Sequence, residues 1–305
     1  MRRSLPLILV TFLLLFLILA GFLSARVSPA STSTLQVAAT IFPVADLIAH
    51  VGGDLVAVHS ILEPGSSPHT FDLTPQKAIQ LTHVTAIFGV GQGLDLWTEG
   101  VSRLSGAPII SLDKNVPLLC GQAPPVIQSQ DEHEEDLTFC DPHYWLSVPN
   151  AMLMVDQLVT ELSLLDPVHA DTYRSNANTY LTELTQLNED IHTIADSITD
   201  RDIVTFHESF TYFAKEYGLT IRATVEPSPG REPSPQQLVD LQKTINVYNV
   251  RTLYKEPQLS DSVLQAFTKD LNISIQTLDP LGGIPGRDSY SQLMLFNAHT
   301  FAQTP

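Results

Sequence analysis

The segment from Pro167 to Thr199 contains no glycine and no proline after its first residue, so nothing in it interrupts a helix. At about 1.5 Å per residue, a helix over this segment would be about 50 Å long, which is enough to run the length of a two-lobed molecule. Residues 150–166 carry a second helical pattern immediately before it. The chain is therefore predicted to contain a stiff helical connection, which favours small relative motion of the parts that it joins.

On both sides of this helical region, short runs of β-branched residues alternate with amphipathic segments, as in parallel sheets with crossover helices. The runs before it are TLQVAATIF, LVAVHSIL, VTAIFGV and APIISL, and those after it are RDIVTFHESF, IRATVEP, RTLYKEP and ISIQTLDP. The predicted fold class is α/β, with two lobes, each a parallel-sheet α/β sandwich, joined by one long backbone helix. The predicted bounds are 1–30 for an export segment, 35–165 for the N-terminal lobe, 166–200 for the linking helix and 201–305 for the C-terminal lobe.

The N-terminus carries an export signal, in which Arg2 and Arg3 precede an apolar run from Leu5 to Leu23. The run is long enough to serve as a membrane anchor, so cleavage after Ala30 and retention as an anchor are both open. The arginines keep the N-terminus in the cytoplasm and place the rest of the chain in the periplasm or on the outer face of the membrane. No cysteine follows the run, which excludes lipid attachment of the bacterial lipoprotein type.

The charge balance restricts the partners of this chain. Its 16 Lys and Arg residues against 33 Asp and Glu residues give a formal net charge of −17, which repels phosphate backbones and attracts cations. Nucleic acid is therefore excluded as a partner, and membrane contact is expected only through the N-terminal segment. The chain is expected to be a monomer.

The only two cysteines of the chain, Cys120 and Cys140, enclose an acidic segment. In an exported protein they either pair and clip off this loop or remain two thiols. The segment from Gln128 to Asp136 contains His133 among five carboxylates. Two interpretations are open for it, a weak metal-gathering role and a solvated acidic loop.

Four residues are candidate metal ligands because they stand in loops or at the ends of predicted strands, where open α/β sheets place ligands. Their spacing is too wide for a zinc finger, whose ligands come in close pairs, and for a helical hydrolase site with two histidines four residues apart. It fits a single site between two lobes. The candidates are His69, His143, His207 and Asp279.

Six motifs in this order resemble those of the metal-binding subunits of zinc and manganese ABC importers, the cluster A-I solute-binding proteins. They are PGSSPHTFDLTP, DPHYWLSVPNA, FHESFTYFAKEYGL, EPSPQQL, LYKEPQLS and LDPLGG, and the resemblance extends from Val37 to the end of the chain. It implies a two-lobed fold with a rigid helical backbone and one metal ion between the lobes, with His69, His143, His207 and Asp279 as its ligands.

This ligand set favours Zn²⁺, because three imidazoles and one carboxylate suit a tetrahedral zinc ion. Manganese importers of the family resemble this pattern but carry Glu where this chain has His207, so Mn²⁺ or Fe²⁺ is the second choice. The resemblance implies a receptor that captures the ion outside the cytoplasm and delivers it to an ABC permease, without enzymatic activity. A metallohydrolase and an adhesin built on the same fold are the alternative functions.

Overall fold

The structure is a computed structural model that describes residues 34–122, 138–226, 233–258 and 273–303. Three segments lie outside these residues: the export segment, the acidic segment with His133, and the run LSDSVLQAFTKDLN, which the alternation of the sequence predicts as a helix between the last two strands. Residues 35–305 belong to one compact unit. Among the described residues, no helix combines the length and apolarity that a membrane crossing requires.

The N-terminal half of this unit contains a four-stranded parallel sheet. Its strands are β1 (Leu35–Ala39), β2 (Val56–Ser60), β3 (Ala86–Gly89) and β4 (Ile109–Ser111), in the spatial order β2-β1-β3-β4. The connecting helices are α1 (Phe42–Gly52), α2 (Pro75–Gln80) and α3 (Glu99–Ser105). All four strands were predicted, and the amphipathic segments FPVADLIAHVGG and TPQKAIQLT predict α1 and α2. No such segment predicts α3, because its short run EGVSRLS offers only one buried position, Val101.

The C-terminal half contains a second four-stranded parallel sheet. A helix separates each pair of consecutive strands whose connection is described, as the alternation in the sequence predicts. The strands are β7 (Asp202–His207), β8 (Thr220–Glu226), β9 (Thr252–Lys255) and β10 (Ser274–Thr277), in the order β10-β9-β7-β8, and the helices are α6 (Thr211–Tyr217), α7 (Pro235–Tyr248) and, after β10, α8 (Tyr290–Ala302).

Two long helices connect the halves, α4 (Val148–Leu165) and α5 (Ala170–Asp196). The long backbone helix is confirmed, although it begins at Ala170 after a 3-10 turn over Pro167–His169. Its 27 residues correspond to about 40 Å. Its buried positions recur every three or four residues, so one continuous stripe of α5 faces the core: Tyr173, Ala177, Tyr180, Leu184, Leu187, Ile191 and Ala195.

One apolar cluster joins one face of each sheet to helices α1, α4, α5 and α8, and each sheet has a smaller cluster on its other face. Phe206, Phe210, Phe213 and Tyr217 stand at helical spacing in the sequence, which predicts that they share one buried face of a helix. For Phe206 this prediction is wrong. Phe206 lies in β7 and packs into the smaller cluster behind the C-terminal sheet, whereas the other three join the large cluster. The reason is that β7 extends to His207, so the residue before it alternates to the far face of the sheet.

A two-stranded antiparallel hairpin, β5 (Cys120–Gln122) and β6 (Thr138–Cys140), precedes α4. Cys120 and Cys140 are paired partners in this hairpin and form a disulfide. Of the two states that the sequence left open for the cysteines, the structure therefore has the bonded one. The bond fixes the chain immediately before Asp141 and His143.

Candidate metal centre

Three of the four candidate ligands, His69, His143 and His207, converge on one point. One ring nitrogen from each lies within 4.8 Å of the others. The Nε2 atoms of His69 and His143 are 3.1 Å apart, and the ring centroids of the three pairs lie 4.8 to 5.2 Å apart. Ligand nitrogens in a tetrahedral zinc site are separated by about 3.3 Å, because each lies about 2.0 to 2.1 Å from the ion. The Nε2 atoms of His69 and His143 are thus separated by nearly the distance expected for two ligands of one zinc ion, and His207 lies next to both rings.

His207 is the last residue of β7, a central strand of the C-terminal sheet, and its side chain is buried. Its Nδ1 atom lies 3.4 Å from Oε1 of Glu256, which follows the neighbouring strand β9 and is only 6% exposed. Burial raises the pKa of Glu256, but the contacts with His207 and the hydroxyl of Ser209 outweigh it, so that the pKa is lowered. Glu256 is therefore an ionised carboxylate that orients the His207 ring and leaves its Nε2 for a metal.

His143 is held by a carboxylate two residues before it. Asp141 Oδ1 accepts hydrogen bonds from both the backbone N–H and the ring Nδ1–H of His143, at 2.9 and 2.8 Å. A proton on Nδ1 leaves Nε2 as the unprotonated nitrogen, which is the atom that faces His69. The tautomer of His143 is thus set for metal binding by its own loop.

The two aromatic residues after His143 attach its segment to both halves of the molecule. The Tyr144 hydroxyl donates to the carbonyl of Val90, which follows β3 in the N-terminal sheet. Trp145 Nε1 donates to the carbonyl of Pro280, which follows β10 in the C-terminal sheet. Both aromatic side chains are fully buried. They fix the position of His143 between the two sheets, which explains the run HYW.

His69 lies in the long loop between β2 and α2, and unlike the other two histidines it is exposed. Its ring nonetheless faces His143 and His207. Partial burial of the ring, followed by repulsion from these two imidazoles, lowers the pKa of His69 to about 2. The ring is therefore neutral at ordinary pH, which is the state that binds a metal ion.

Asp279, the fourth predicted ligand, does not belong to the group of converging atoms. Its carboxylate is buried, with Oδ1 accepting hydrogen bonds from Gln258 and from the backbone N–H of Leu281 and Gly282, while Oδ2 lies 3.0 Å from Arg287 Nη1. It borders the centre all the same, since Gln258 and Leu281 line the same narrow cavity as the three histidines.

Asp141 and Glu256 contact two of the candidate ligands, and the ligand search in the sequence did not identify them. The sequence around each of them could nevertheless have identified it. Asp141 stands in DPH, where a carboxylate two residues before a histidine can reach its ring, and Glu256 follows a strand in YKEP, at the sheet edge that carries His207. The centre offers three imidazole nitrogens, on rings of which two are oriented by carboxylates, which is the chemistry of an imidazole-preferring divalent ion.

A comparison with protein families supports this assignment. A family model described as zinc-uptake complex component A, periplasmic (ZnuA), matches residues 37–304. All three converging histidines and Asp279 lie within the matched range.

Individual relatives have low sequence identity to this chain. The chain is 24% identical to the zinc-binding protein AdcA of Streptococcus pyogenes, over 88% of this chain and 56% of AdcA, so that it spans about half the length of that relative. It is 26% identical to the metal ABC transporter substrate-binding lipoprotein ScbA of Streptococcus cristatus, over 97% of both chains.

Solved structures have the same fold. A crystal structure of ZnuA superimposes with a TM-score of 0.78 and 26% identity, covering 89% of this chain and 99% of that one. The laminin-binding protein of Streptococcus agalactiae, described as having adhesin and metal-transporting activity, superimposes with a TM-score of 0.74 and 25% identity, over 88% and 98% of the two chains.

Proposed function

The chain belongs to the zinc-uptake complex component A family, and from this premise we propose that it is a receptor that binds Zn²⁺ and delivers it to an ABC permease. Membership also confirms the location outside the cytoplasm that the export signal predicts. The ion is the cargo of such a receptor. It is held for transfer and is not used in a reaction.

The observation that carries the proposal is the convergence of His69, His143 and His207, with one ring nitrogen of each directed at a common point. Three imidazoles at one point are costly unless an ion joins them, because any proton on one ring repels a charge on the next. Asp141 and Glu256 hold two of the rings from behind. The buried apolar clusters already stabilise the fold, so the fold does not need the three rings to meet.

The nitrogen-rich set favours Zn²⁺ over Mn²⁺ and Fe²⁺. Manganese prefers carboxylate and carbonyl oxygens, whereas zinc binds imidazole well, and zinc lies above manganese and iron in the general order of affinities. His207 is the position at which manganese receptors resemble this chain but carry a carboxylate. Its replacement by Glu is therefore expected to shift the preference toward Mn²⁺.

Asp279 is proposed as the fourth ligand. It follows β10 at the carboxyl edge of the C-terminal sheet, the edge at which His207 ends β7. In the structure its carboxylate is shared among Gln258, two backbone N–H groups and Arg287. Binding of the ion would therefore replace the contact with Gln258 or Arg287, and this exchange offers a route by which the receptor releases its cargo.

A metallohydrolase is the main alternative from another class. Such an enzyme keeps one metal position open for water and places a general base beside it. Glu208 follows His207 directly, and burial, together with repulsion from Asp141, raises its pKa. A carboxylate that interacts electrostatically with His143 and His207 could act as such a base. The proposed role of Asp279 leaves no open position, and this is the difference to test.

The experiment combines native mass spectrometry with competition titrations. We expect one tightly bound Zn²⁺ per chain, at least tenfold preferred over Mn²⁺, and a shift toward Mn²⁺ in His207→Glu. Asp279→Asn should weaken Zn²⁺ binding if the carboxylate is a ligand and should lower only thermal stability if it serves Arg287 alone. Esterase and phosphatase assays on the loaded protein should give no turnover. A preference for Mn²⁺ in the natural protein would contradict the assignment of the metal, and turnover that His207→Ala abolishes would contradict the receptor.

A further inference from the structure

The loop that carries His69 has no described backbone hydrogen bond to the rest of the molecule at the point where the histidine stands. The start of the loop is attached to the sheet, because the N–H groups of Ile61 and Leu62 donate to carbonyls at the end of β1. In residues 63–73, the described backbone hydrogen bonds stay within the loop, from residue 66 to residue 63 and from residue 70 to residue 67. The position of His69 therefore depends on side-chain contacts.

The first part of this stretch borders a cavity of about 120 Å³. Its lining includes Pro64 and Gly65 of the loop and, from the C-terminal half, Leu281 and Gly282. Gly65 has a φ of +84°, and a Cβ built on it would have no heavy atom within 4 Å. The loop thus has free space on one side and, at Gly65, a residue that changes backbone conformation at little steric cost.

Trp97 contacts this loop immediately before and after His69. Its indole Nε1–H donates to the carbonyl of Pro68 at 3.2 Å, and Pro68 is buried. This carbonyl belongs to the planar peptide unit that enters His69, so the hydrogen bond fixes the plane from which the His69 side chain projects. The Trp97 ring also meets the ring of Phe71 edge to face, with centroids 4.7 Å apart.

The turn that carries Trp97 is itself firmly held. Trp97 lies in a 3-10 turn over Leu96–Thr98, directly before α3. Thr98 is buried, and its backbone N–H and its hydroxyl both donate to the carbonyl of Asp95, at 3.0 and 2.7 Å. The Trp97 ring packs against the smaller apolar cluster of the N-terminal sheet. A fixed indole therefore meets a loop that has space to move.

The other described attachments of residues 63–73 are weaker or belong to the centre itself. Lys77 pairs with Glu63 at 2.9 Å, but the Glu63 side chain is 70% exposed, and a surface ion pair of this kind contributes little. His69 Nε2 faces His143 Nε2, which is a contact between two proposed ligands. The hydrogen bond from Trp97 is thus the described contact through which the folded N-terminal half orients the peptide unit of His69.

We propose that Trp97 is the residue that positions His69 for the metal ion, acting through Pro68 and Phe71. This inference rests on the proposed receptor function and goes beyond it, because it identifies what holds the exposed ligand in place. Breaking the hydrogen bond to Pro68 lets the loop turn at Gly65 and carries His69 away from the other two histidines. Trp97 therefore determines how long the ion stays bound.

The test is Trp97→Phe in the full chain, which removes the indole N–H and keeps an aromatic ring beside Phe71. Zn²⁺ affinity, measured by competition with a chelator, should fall about tenfold, at the lower end of the 10- to 100-fold range for residues that orient a ligand. Release of Zn²⁺ into excess chelator should be faster by a similar factor. Leu96→Ala is the matched control, because it removes an exposed apolar side chain from the same turn and should change neither quantity.

A double-mutant cycle decides whether Trp97 acts through His69. In a His69→Gln protein, a further Trp97→Phe change should leave the weakened Zn²⁺ affinity as it is, because the histidine that Trp97 positions is gone. If Trp97 only stabilised the fold, the change would weaken binding by the same factor in both backgrounds, and the inference would be overturned. Phe71→Leu, which removes the other ring of the contact, is a second variant that should show the same dependence on His69.

NMR spectra of the metal-free protein with labelled histidine rings give a reading that does not depend on zinc. Trp97→Phe should shift the ring signals of His69 and leave those of His299, on α8, unchanged. Unchanged His69 signals would contradict the positioning role. The two proposals fail differently: a wild-type protein that binds no zinc contradicts the receptor, whereas a protein that binds zinc through His69 but is insensitive to Trp97→Phe contradicts only this inference.

Discussion

The two four-stranded sheets have the same topology and use their carboxyl edges differently. In each, the first strand in the chain lies between the second and the third, so the orders β2-β1-β3-β4 and β8-β7-β9-β10 correspond. The edge between the first and third strands is the point at which open α/β sheets bind ligands. In the C-terminal sheet this point carries His207 and its carboxylate partner Glu256, which follow β7 and β9.

The N-terminal sheet closes the same point with its own chain. Asp95 turns back after β3, and its carboxylate accepts hydrogen bonds from the backbone N–H groups of Val90 and Gly91, at 2.6 and 3.1 Å. This carboxylate leaves no room for a side chain at Gly89, whose Cβ would lie 2.3 Å from Asp95 Oδ2. The proposed metal ligand of this half, His69, comes instead from the loop after edge strand β2.

The difference indicates that, of the two proposed ligands, His207 is fixed in place and His69 is able to move. His207 ends a central strand, is 4% exposed and has a buried partner behind it. His69 is exposed, and the described residues show only ring contacts for it, with His143 and His207. In the proposed receptor, the stiff helix α5 favours release of the ion without wide hinge motion, and a ligand on a loop allows such release.

The largest expected effect comes from removing each of these two ligands. His207→Ala should weaken Zn²⁺ binding by more than about 100-fold, since loss of an outer-shell partner alone costs about 10- to 100-fold. It should also lower the unfolding free energy of the metal-free protein by about 1 to 3 kcal/mol, because buried Glu256 then loses its contact with the imidazole and keeps only the Ser209 hydroxyl.

His69→Ala should weaken binding to a comparable extent but leave the stability of the metal-free protein unchanged, since no described carboxylate depends on it. Competition titrations with a zinc chelator and urea unfolding of the metal-free proteins measure the two effects. Equal loss of stability in both variants would contradict the division into a fixed and a movable ligand.

The disulfide gives the second largest effect. Cys120 and Cys140 are 20 positions apart, and closing a loop of this size stabilises a folded chain by about 3 kcal/mol through the entropy of the unfolded state. The double variant Cys120→Ser/Cys140→Ser should therefore unfold at a lower urea concentration. Zinc affinity should change by less than about tenfold, because Asp141 still orients His143 and Tyr212 still holds Asp141 through a hydrogen bond to its carbonyl. A loss of affinity as large as that of His207→Ala would mean that the hairpin itself positions the centre.

The third comparison replaces Glu256 and Asp95, the carboxylates at corresponding points of the two sheets, by the matching amides. Glu256→Gln should weaken Zn²⁺ binding by about 10- to 100-fold through the His207 ring. Asp95→Asn should leave binding unchanged and lower the unfolding free energy by about 1 to 3 kcal/mol, since the amide is a poorer acceptor for the buried N–H of Val90. Both are measured by the titration and urea unfolding used for the ligands. If Asp95→Asn weakened binding as much as Glu256→Gln, the N-terminal edge would belong to the metal centre.

The sequence predicted the two sheets and the long helix well because their signals are local. Apolar runs of four to seven residues, and a helical stripe without glycine or proline, need no knowledge of tertiary contacts. The three histidines could also be identified from the sequence, since each stands at a strand end or in a loop near the edge of a predicted sheet. Helix α8, the β5–β6 hairpin and α3 were not predicted. Of these, α3 is short and mostly exposed, so it has little periodicity to detect.

The supporting residues were harder to predict for a physical reason. Glu256 acts on His207 across two strands, and Tyr144 and Trp145 act through carbonyl groups of Val90 and Pro280, which no side-chain pattern reveals. Asp279 illustrates the reverse difficulty. Its motif identifies it as a ligand by resemblance, yet its buried contact with Arg287 depends on a residue that the sequence gives no reason to pair with it.

The smallest expected effect is the pH dependence of the metal-free protein, in which two exposed histidines of the N-terminal half should act with opposite signs. The pKa of His69 is lowered to about 2 by partial burial and by the neighbouring imidazoles. The unfolded chain takes up a proton at this residue near the ordinary histidine pKa of about 6.5, whereas the folded chain does not. Stability is therefore lost as the pH falls below about 6.5, and His69→Gln should reduce this loss.

His50 provides the matched control, because a hydrogen bond to Asp46 raises its pKa despite partial burial. Its stabilising contribution is complete below the unfolded pKa of about 6.5 and disappears as the pH rises through the higher folded value. His50→Gln should therefore destabilise the protein more at pH 5 than at pH 8. His69→Gln should destabilise it more at pH 8 than at pH 5. Both effects should be modest, because the two rings are exposed to solvent. Thermal unfolding of the three metal-free proteins across this range measures the signs. An NMR titration in which the His69 ring gains its proton near the ordinary value would show that the imidazoles do not influence one another, and the loop ligand would then lie farther from His143 and His207 than the structure places it.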